Sequence, residues 1–149
     1  MQTVKPLLLI DDDYLDAAIT RRSLRQLRIQ NPLIHKSNAE EALAYLRTSP
    51  HDAPCIILLD LNMPRMNGFE FLSCVKADAG LISIPVVVLT TSTAQEDVQA
   101  SLRLGAAEYI VKAVDASTFM ESLRILERYC ACANPAWNDP KTHRTHDQG

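Results

Sequence analysis

Short apolar runs rich in Leu, Ile and Val recur along the chain, each followed by a polar turn and then by a stretch with helical spacing. The runs are Leu7 to Ile10, Leu33 to His35, Cys55 to Leu59, Val86 to Leu89 and Tyr109 to Val111. Between them Ala39, Ala42, Leu43 and Leu46 fall at i, i+3, i+4 and i+7, and Leu72, Val75 and Ala79 continue the theme. Phe119, Leu123, Leu126 and Cys130 form a last stripe. Each stripe gives a helix one face to bury. Ser37 with Glu40 reads as a capping box ahead of the second helix. The pattern predicts five strands alternating with five helices.

Runs that are apolar at every position imply strands buried on both faces, and alternation with helices implies right-handed crossovers and a parallel sheet. The predicted fold class is therefore α/β, doubly wound. In that architecture ligands bind beyond the carboxyl ends of the strands. The residues just after each apolar run carry the functional question.

Composition narrows the picture. A chain of 149 residues with 47% apolar and 22% charged positions suits one packed domain. Its net charge of −3 gives no bulk case for nucleic-acid binding. No apolar run approaches the roughly 20 residues of a membrane helix, and no signal-peptide core is visible, so a cytoplasmic location is expected. The cysteines read as small buried hydrophobes rather than a disulfide framework. Cys130, Cys132, His143 and His146 resemble a metal set only loosely, because two residues two apart on a helix do not share a face.

At the strand ends the chain places Asp11, Asp12 and Asp13 after the first run, Asp60 after the third, Thr90 and Thr91 after the fourth and Lys112 after the fifth. Asp13 and Thr91 read as solvated strand-end residues. Carboxylates about 5 Å apart would repel by roughly 3 kcal/mol at an effective dielectric of 20, so the cluster calls for a cation, a proton or both. Hard oxygen donors favour Mg²⁺, with Lys112 as a second positive charge. A carboxylate beside such an ion, a lysine and a hydroxyl suits attack on phosphorus, with Asp60 carrying an aspartyl-phosphate that Thr90 and Lys112 bind.

In combination these segments resemble the receiver domain of two-component response regulators. LLLIDDD supplies Asp11 and Asp12; LLDLNMPRMNG supplies Asp60, Asn62, Pro64 and Gly68; VVVLTTS supplies Thr90; EYIVK supplies Tyr109 and Lys112. The resemblance covers roughly residues 5 to 132 and implies a flavodoxin-like sheet of order 2-1-3-4-5. It implies Asp60 as phosphoacceptor, with Asp11, Asp12, Asp60 and the backbone carbonyl of Asn62 around Mg²⁺, Asp11 acting mainly through metal-bound water. Thr90 and Lys112 become the phosphoryl-binding pair and Tyr109 the switch aromatic. Asn62 and Ser92 take the positions that tune phosphoryl lifetime.

The departures are Ala113 after Lys112, where the family usually has a cis proline, and Asn67 before Gly68. A cis bond to alanine would cost about 3 to 4 kcal/mol.

Taken further, the resemblance implies a receiver over residues 1–132 and a tail over 133–149 that is flexible or serves as a dimer or partner arm through Trp137. The tail is too short and polar for a core, so signalling falls to docking on a downstream protein, not to enzyme activity. LLDLNMP, the segment Lys76 to Ile84 and LTTS resemble most the stand-alone receivers paired with phytochrome-type sensor histidine kinases, with a homodimer through the last helix and strand as one implied state. Two rivals stand beside this reading. A phosphatase of the haloacid dehalogenase type would take Asp11 as nucleophile with Asp13, Thr90 and Lys112, leaving the Asp60 motif unused. A constitutive docking module would never be phosphorylated.

Overall fold

The computed structural model describes residues 5–48, 53–112 and 115–130. Within them lie β1 (Leu7–Ile10), α1 (Tyr14–Gln26), β2 (Leu33–Lys36), α2 (Ala39–Thr48), β3 (Ile56–Leu59) and α3 (Gly68–Ala77). The chain continues through β4 (Val86–Thr90), α4 (Gln95–Arg103), β5 (Glu108–Val111) and α5 (Ala116–Leu123). A 3₁₀ turn, Arg124–Leu126, carries α5 into a last short helix, α6 (Glu127–Cys130). The strands form one parallel sheet of order β2-β1-β3-β4-β5. This is the predicted doubly wound order, with the five predicted helices and α6 as an extension of the fifth.

The three inner strands are buried at every residue, whereas β2 and β5 at the edges are only partly so. Alternate side chains feed opposite layers. Leu8, Ile10, Ile57, Leu59, Val86 and Val88 pack under α2 and α3, against Leu43, Phe71 and Leu72. Leu7, Leu9, Ile56, Leu58, Val87 and Leu89 pack under α1 and α5, against Leu24, Phe119 and Leu123. Each fully buried aliphatic side chain contributes about 1.5–3 kcal/mol, so the inner strands hold their carboxyl ends firmly.

The helix starts are set by side-chain caps. Asp13 caps α1 through Leu15 N and Asp16 N, so this residue has a structural task beyond solvation. Asp115 caps α5 through Thr118 N. The capping box expected at Ser37 and Glu40 is not formed; Asn38 Oδ1 accepts from Glu41 N at 2.8 Å instead, because α2 starts one residue later than that reading required. The capping box lies at Asn67 and Glu70, at the start of α3.

α4 differs from the rest. Its N-cap, Ala94, offers no side-chain bond, and its one buried residue is Ser101. Few buried apolar contacts mark an element that opens or shifts at low cost.

Candidate functional site

The carboxyl ends of β1, β3, β4 and β5 bring Asp11, Asp12, Asp60, Thr90 and Lys112 to one edge of the sheet. Asp60 N donates to Ile10 O at 3.0 Å and Lys112 N to Thr90 O at 2.7 Å, so adjacent strand ends are tied together by backbone. One carboxylate oxygen from each of Asp11, Asp12 and Asp60 lies within 4.8 Å of the others. Asp11 is fully buried, Asp60 nearly so and Asp12 exposed.

Lys112 is the counter-charge. Its Nζ donates to Asp11 Oδ2 at 2.8 Å and to Asp16 Oδ2 at 3.0 Å, and stands 3.9 Å from Asp60 Oδ2. Burial alone would lower the pKa of its ammonium, but the bond to Asp11 and the charges of Asp60, Asp11 and Asp16 outweigh that and raise it. Lys112 is therefore a fixed cation. The other Asp11 oxygen accepts from Asp13 N at 2.9 Å, so both of its oxygens are engaged. Asp60 Oδ1 has only a 3.3 Å bond from Asn62 N. Burial pushes the Asp60 carboxyl up to about 6, with Asp11 and Asp12 adding to the rise and Lys112 and the Asn62 N–H opposing it. Of the two buried carboxylates, Asp60 is thus the less compensated.

Gly68 makes the Asp60 loop possible. Its N–H donates to Leu61 O at 3.0 Å, and a Cβ there would stand 2.6 Å from Leu61 Cα and 2.7 Å from Asp60 O. Only a residue without a side chain lets α3 begin this close to the strand end.

Thr90 is fully buried, and its Oγ1 accepts from Ser92 N at 3.4 Å. The Tyr109 hydroxyl donates to Ser92 O at 3.0 Å, linking β5 to the loop that follows Thr90. Burial raises the pKa of that phenol. Ser92 Oγ in turn donates to Asp97 Oδ2 at 2.6 Å, holding the first turn of α4.

Every residue proposed from sequence at this edge is therefore found there, including Asn62 and Tyr109. Asp16 and His35 were missed. Asp16 sits in the first turn of α1, where its spacing from Asp13 is the one available signal, and it shares Lys112. His35 Nε2 lies 2.8 Å from Asp11 O, and its ring meets Tyr14 edge-on at 5.4 Å; nothing in the pattern of β2 marked it. The Lys112–Ala113 bond, Cys132, His143, His146 and the tail lie outside the described residues.

A carboxylate cluster with a buried lysine and threonine, set at the switch edge of a 2-1-3-4-5 parallel sheet, defines a phosphoacceptor signalling domain. Residues 7–124 match the response regulator receiver domain, and the chain belongs to that family. It is 34% identical over 131 residues to the response regulator Rcp1 of Synechocystis, spanning 84% of this chain and 88% of Rcp1. Among solved structures, the phosphorylated cyanobacterial phytochrome response regulator RcpA is 31% identical with a TM-score of 0.79, covering 89% of this chain and 98% of RcpA. The Mn²⁺-bound form of Rcp1 is 33% identical with a TM-score of 0.73, covering 83% and 91% of the two chains. The bacteriophytochrome response regulator RtBRR is 37% identical with a TM-score of 0.71, covering 83% and 78%. The chain is thus a receiver similar to stand-alone response regulators, a signalling domain of two-component systems. No described helix is long and apolar enough to cross a membrane.

Proposed function

We propose that Asp60 accepts a phosphoryl group from a sensor histidine kinase and that the change spreads through Thr90 and Tyr109 to α4. The observation that carries the assignment is the contrast between the two buried carboxylates. Asp11 has both oxygens engaged, whereas Asp60 keeps one oxygen at 3.9 Å from its nearest cation. That contrast also disfavours Asp11 as the nucleophile of a phosphatase.

The donor set fits a divalent ion with hard-oxygen preference, since Asp11, Asp12 and Asp60 supply only carboxylate oxygens within 4.8 Å. We assign Mg²⁺ to these residues and the Asn62 carbonyl. When bound, the ion supplies neutralisation of phosphoryl charge. The remaining work falls to side chains. Asp60 attacks phosphorus in line, the O–P bond forming as the P–N bond to the donor histidine breaks and the imidazole takes up a proton as it leaves; Lys112 holds the phosphoryl oxygens by charge, already positioned by Asp11 and Asp16. The Thr90 hydroxyl, moving to bind a phosphoryl oxygen, draws on the loop whose Ser92 carbonyl holds Tyr109 and whose Ser92 hydroxyl holds α4. α4 buries least and so responds most.

The likeness to RcpA and RtBRR supports a phytochrome-type kinase as the donor. On this reading the chain works in the cytoplasm as a receiver over residues 1–132 that signals by docking on a downstream protein or a second copy. Intact mass after incubation with a small-molecule phosphodonor tests the core of this reading. One phosphoryl group gained with Mg²⁺, and absent without the ion or in Asp60→Asn, is expected. An adduct that persists in Asp60→Asn and disappears in Asp11→Asn would return the case to the phosphatase. No adduct, even from a phosphorylated histidine kinase, would leave the constitutive docking module. Faster transfer from a phytochrome-type kinase than from an unrelated one tests the partner.

A further inference from the structure

Lys112 stands among more carboxylates than one ammonium can neutralise, and its geometry is uneven among them. Nζ donates to Asp11 Oδ2 at 2.8 Å and to Asp16 Oδ2 at 3.0 Å, while Asp60 Oδ2 lies at 3.9 Å, beyond hydrogen-bond reach. Both bonded carboxylates come from the end of β1 and the start of α1. The ammonium is therefore drawn toward α1 and off the Asp60 carboxylate. Asp16 is fixed for this by its backbone, whose N–H donates to Asp13 Oδ1 at 3.1 Å and whose carbonyl accepts from Thr20 Oγ1 at 2.9 Å. Its bond to Lys112 ties the end of β5 to the first turn of α1.

The two bonded partners differ in their surroundings. The Asp11 side chain is fully buried and its other oxygen already accepts from Asp13 N, so no water replaces the ammonium if it leaves. The Asp16 side chain is 33% exposed, and water solvates its carboxylate once the ammonium departs. Asp16 is thus the partner that gives way. A phosphoryl group on Asp60 supplies the pull, adding up to two negative charges and three acceptor oxygens beside Nζ. A phosphoryl oxygen and Asp16 bonded to the same ammonium would stand about 5 Å apart, and like charges at that spacing repel.

We propose that Asp16 is a positioning residue for Lys112: in the resting protein it holds the ammonium off Asp60, leaving Asp60 Oδ2 open, and it yields the ammonium to the phosphoryl group once Asp60 is modified. This rests on the reading of Asp60 as phosphoacceptor and adds a second output to it. Release of Asp16 breaks the side-chain tie between β5 and α1. The first turn of α1, where Tyr14 and Leu15 are 70% and 69% exposed, then responds to phosphorylation by a route separate from Thr90, Tyr109 and α4.

The test is NMR of the full chain with ¹⁵N-lysine and ¹³C-aspartate, in which scalar coupling across a hydrogen bond reports which carboxylates Nζ engages, run beside intact mass. In EDTA and again with Mg²⁺, Lys112 should couple to Asp11 and Asp16 and not to Asp60. With a small-molecule phosphodonor in excess, the coupling to Asp16 should vanish, that to Asp11 should remain, and amide exchange over residues 14–18 should quicken. Asp16→Ala should bring a Lys112–Asp60 coupling at rest and slow phosphoryl gain about three- to tenfold, the factor that one hydrogen bond sets. Asp16→Glu should restore most of that rate. An Asp16 coupling that survives phosphorylation, or that Mg²⁺ alone removes, overturns the hand-over. An Asp16→Ala protein whose Lys112 stays off Asp60, or which gains phosphoryl at the wild-type rate, overturns the resting role; the wild-type couplings decide even if that variant folds poorly. Wild type that gains no phosphoryl mass removes the phosphoacceptor reading itself, and the hand-over with it.

Discussion

Asp60→Asn should make the metal-free protein more stable, because the site is built around a carboxylate that the fold does not fully compensate. Burial and the neighbouring Asp11 and Asp12 move the Asp60 carboxyl from 3.8 to about 6. A shift of that size corresponds to roughly 3 kcal/mol, at about 1.4 kcal/mol per unit, that ionised Asp60 costs the folded state at pH 7.5. Asparagine removes the charge and keeps an acceptor for the Asn62 N–H. Lys112 loses its weakest partner, at 3.9 Å, and retains Asp11 and Asp16. The shift to about 6 is already net of the attraction to Lys112; allowing for the cost of burying the amide, the expected gain is about 1–3 kcal/mol.

The sign follows from linkage. A carboxyl raised in the folded state favours folding fully below its unfolded value of about 4, and that contribution is lost as pH rises through about 6. The advantage of Asp60→Asn should therefore be largest above pH 7, shrink through pH 6 and vanish near pH 4. Urea denaturation in EDTA across that range reads it as a shift in midpoint at constant m. Mg²⁺ at a hundred times its Kd should stabilise wild type by about 2.7 kcal/mol and the variant by less. A variant no more stable than wild type at pH 7.5 in EDTA, or a gain that does not decline with acid, would refute the reasoning.

Lys112→Ala leaves buried Asp11 without its cation and should destabilise the metal-free protein by about 3 kcal/mol; it should still take phosphoryl from a small-molecule donor while losing phosphorylation-dependent partner binding, read by titration calorimetry. Gly68→Ala forces a Cβ against Leu61 and Asp60 backbone and should cost about 1–3 kcal/mol in chemical denaturation, with slower phosphorylation because the Asp60 loop must shift. In wild type, Mg²⁺ affinity measured by fluorescence or calorimetry should weaken as pH falls below about 6, since protons then compete for Asp60. Tyr109→Phe removes the bond to Ser92 O. It should lower stability by about 1 kcal/mol and loosen α4, seen as faster amide exchange over residues 95–103.

The inner strands were the most legible part of the chain, for a physical reason. β1, β3 and β4 are buried on both faces, so their uninterrupted Leu, Ile and Val leave little ambiguity about strand, sheet type or which end faces the ligand. The edge strands are half-solvated and tolerate polar residues, so β2 runs on to Lys36 and β5 starts at Glu108, each one residue beyond the apolar run. Helix starts depend on single side-chain bonds that several neighbouring residues could make. Ser37, Asn38, Glu40 and Glu41 offer two capping schemes one residue apart, and the fold uses Asn38 with Glu41. Asp60, Lys112 and Thr90 were legible because each follows an apolar run directly. Asp16 reaches the site from a helix, and His35 from an edge strand, so neither carries a positional mark in the sequence.

That difference explains how the site divides its labour. Asp11, Asp60 and Thr90 stand at the ends of the three strands that are buried at every residue, which keeps the carboxylates close despite their repulsion. α4 is the opposite case: polar, uncapped by its own N-terminal residue, and attached at its start through Ser92 and Asp97. A phosphoryl group at Asp60 adds up to two negative charges and three acceptor oxygens beside Lys112 and Thr90. The rigid strand ends leave little room to absorb that change by moving apart. On the proposed switch the change passes instead to the loop after Thr90, where one residue, Ser92, holds both Tyr109 and the first turn of α4. On that reading a stiff sheet edge joined to a weakly anchored helix converts a local charge change into a displaced surface, which is what the proposed signalling by docking requires.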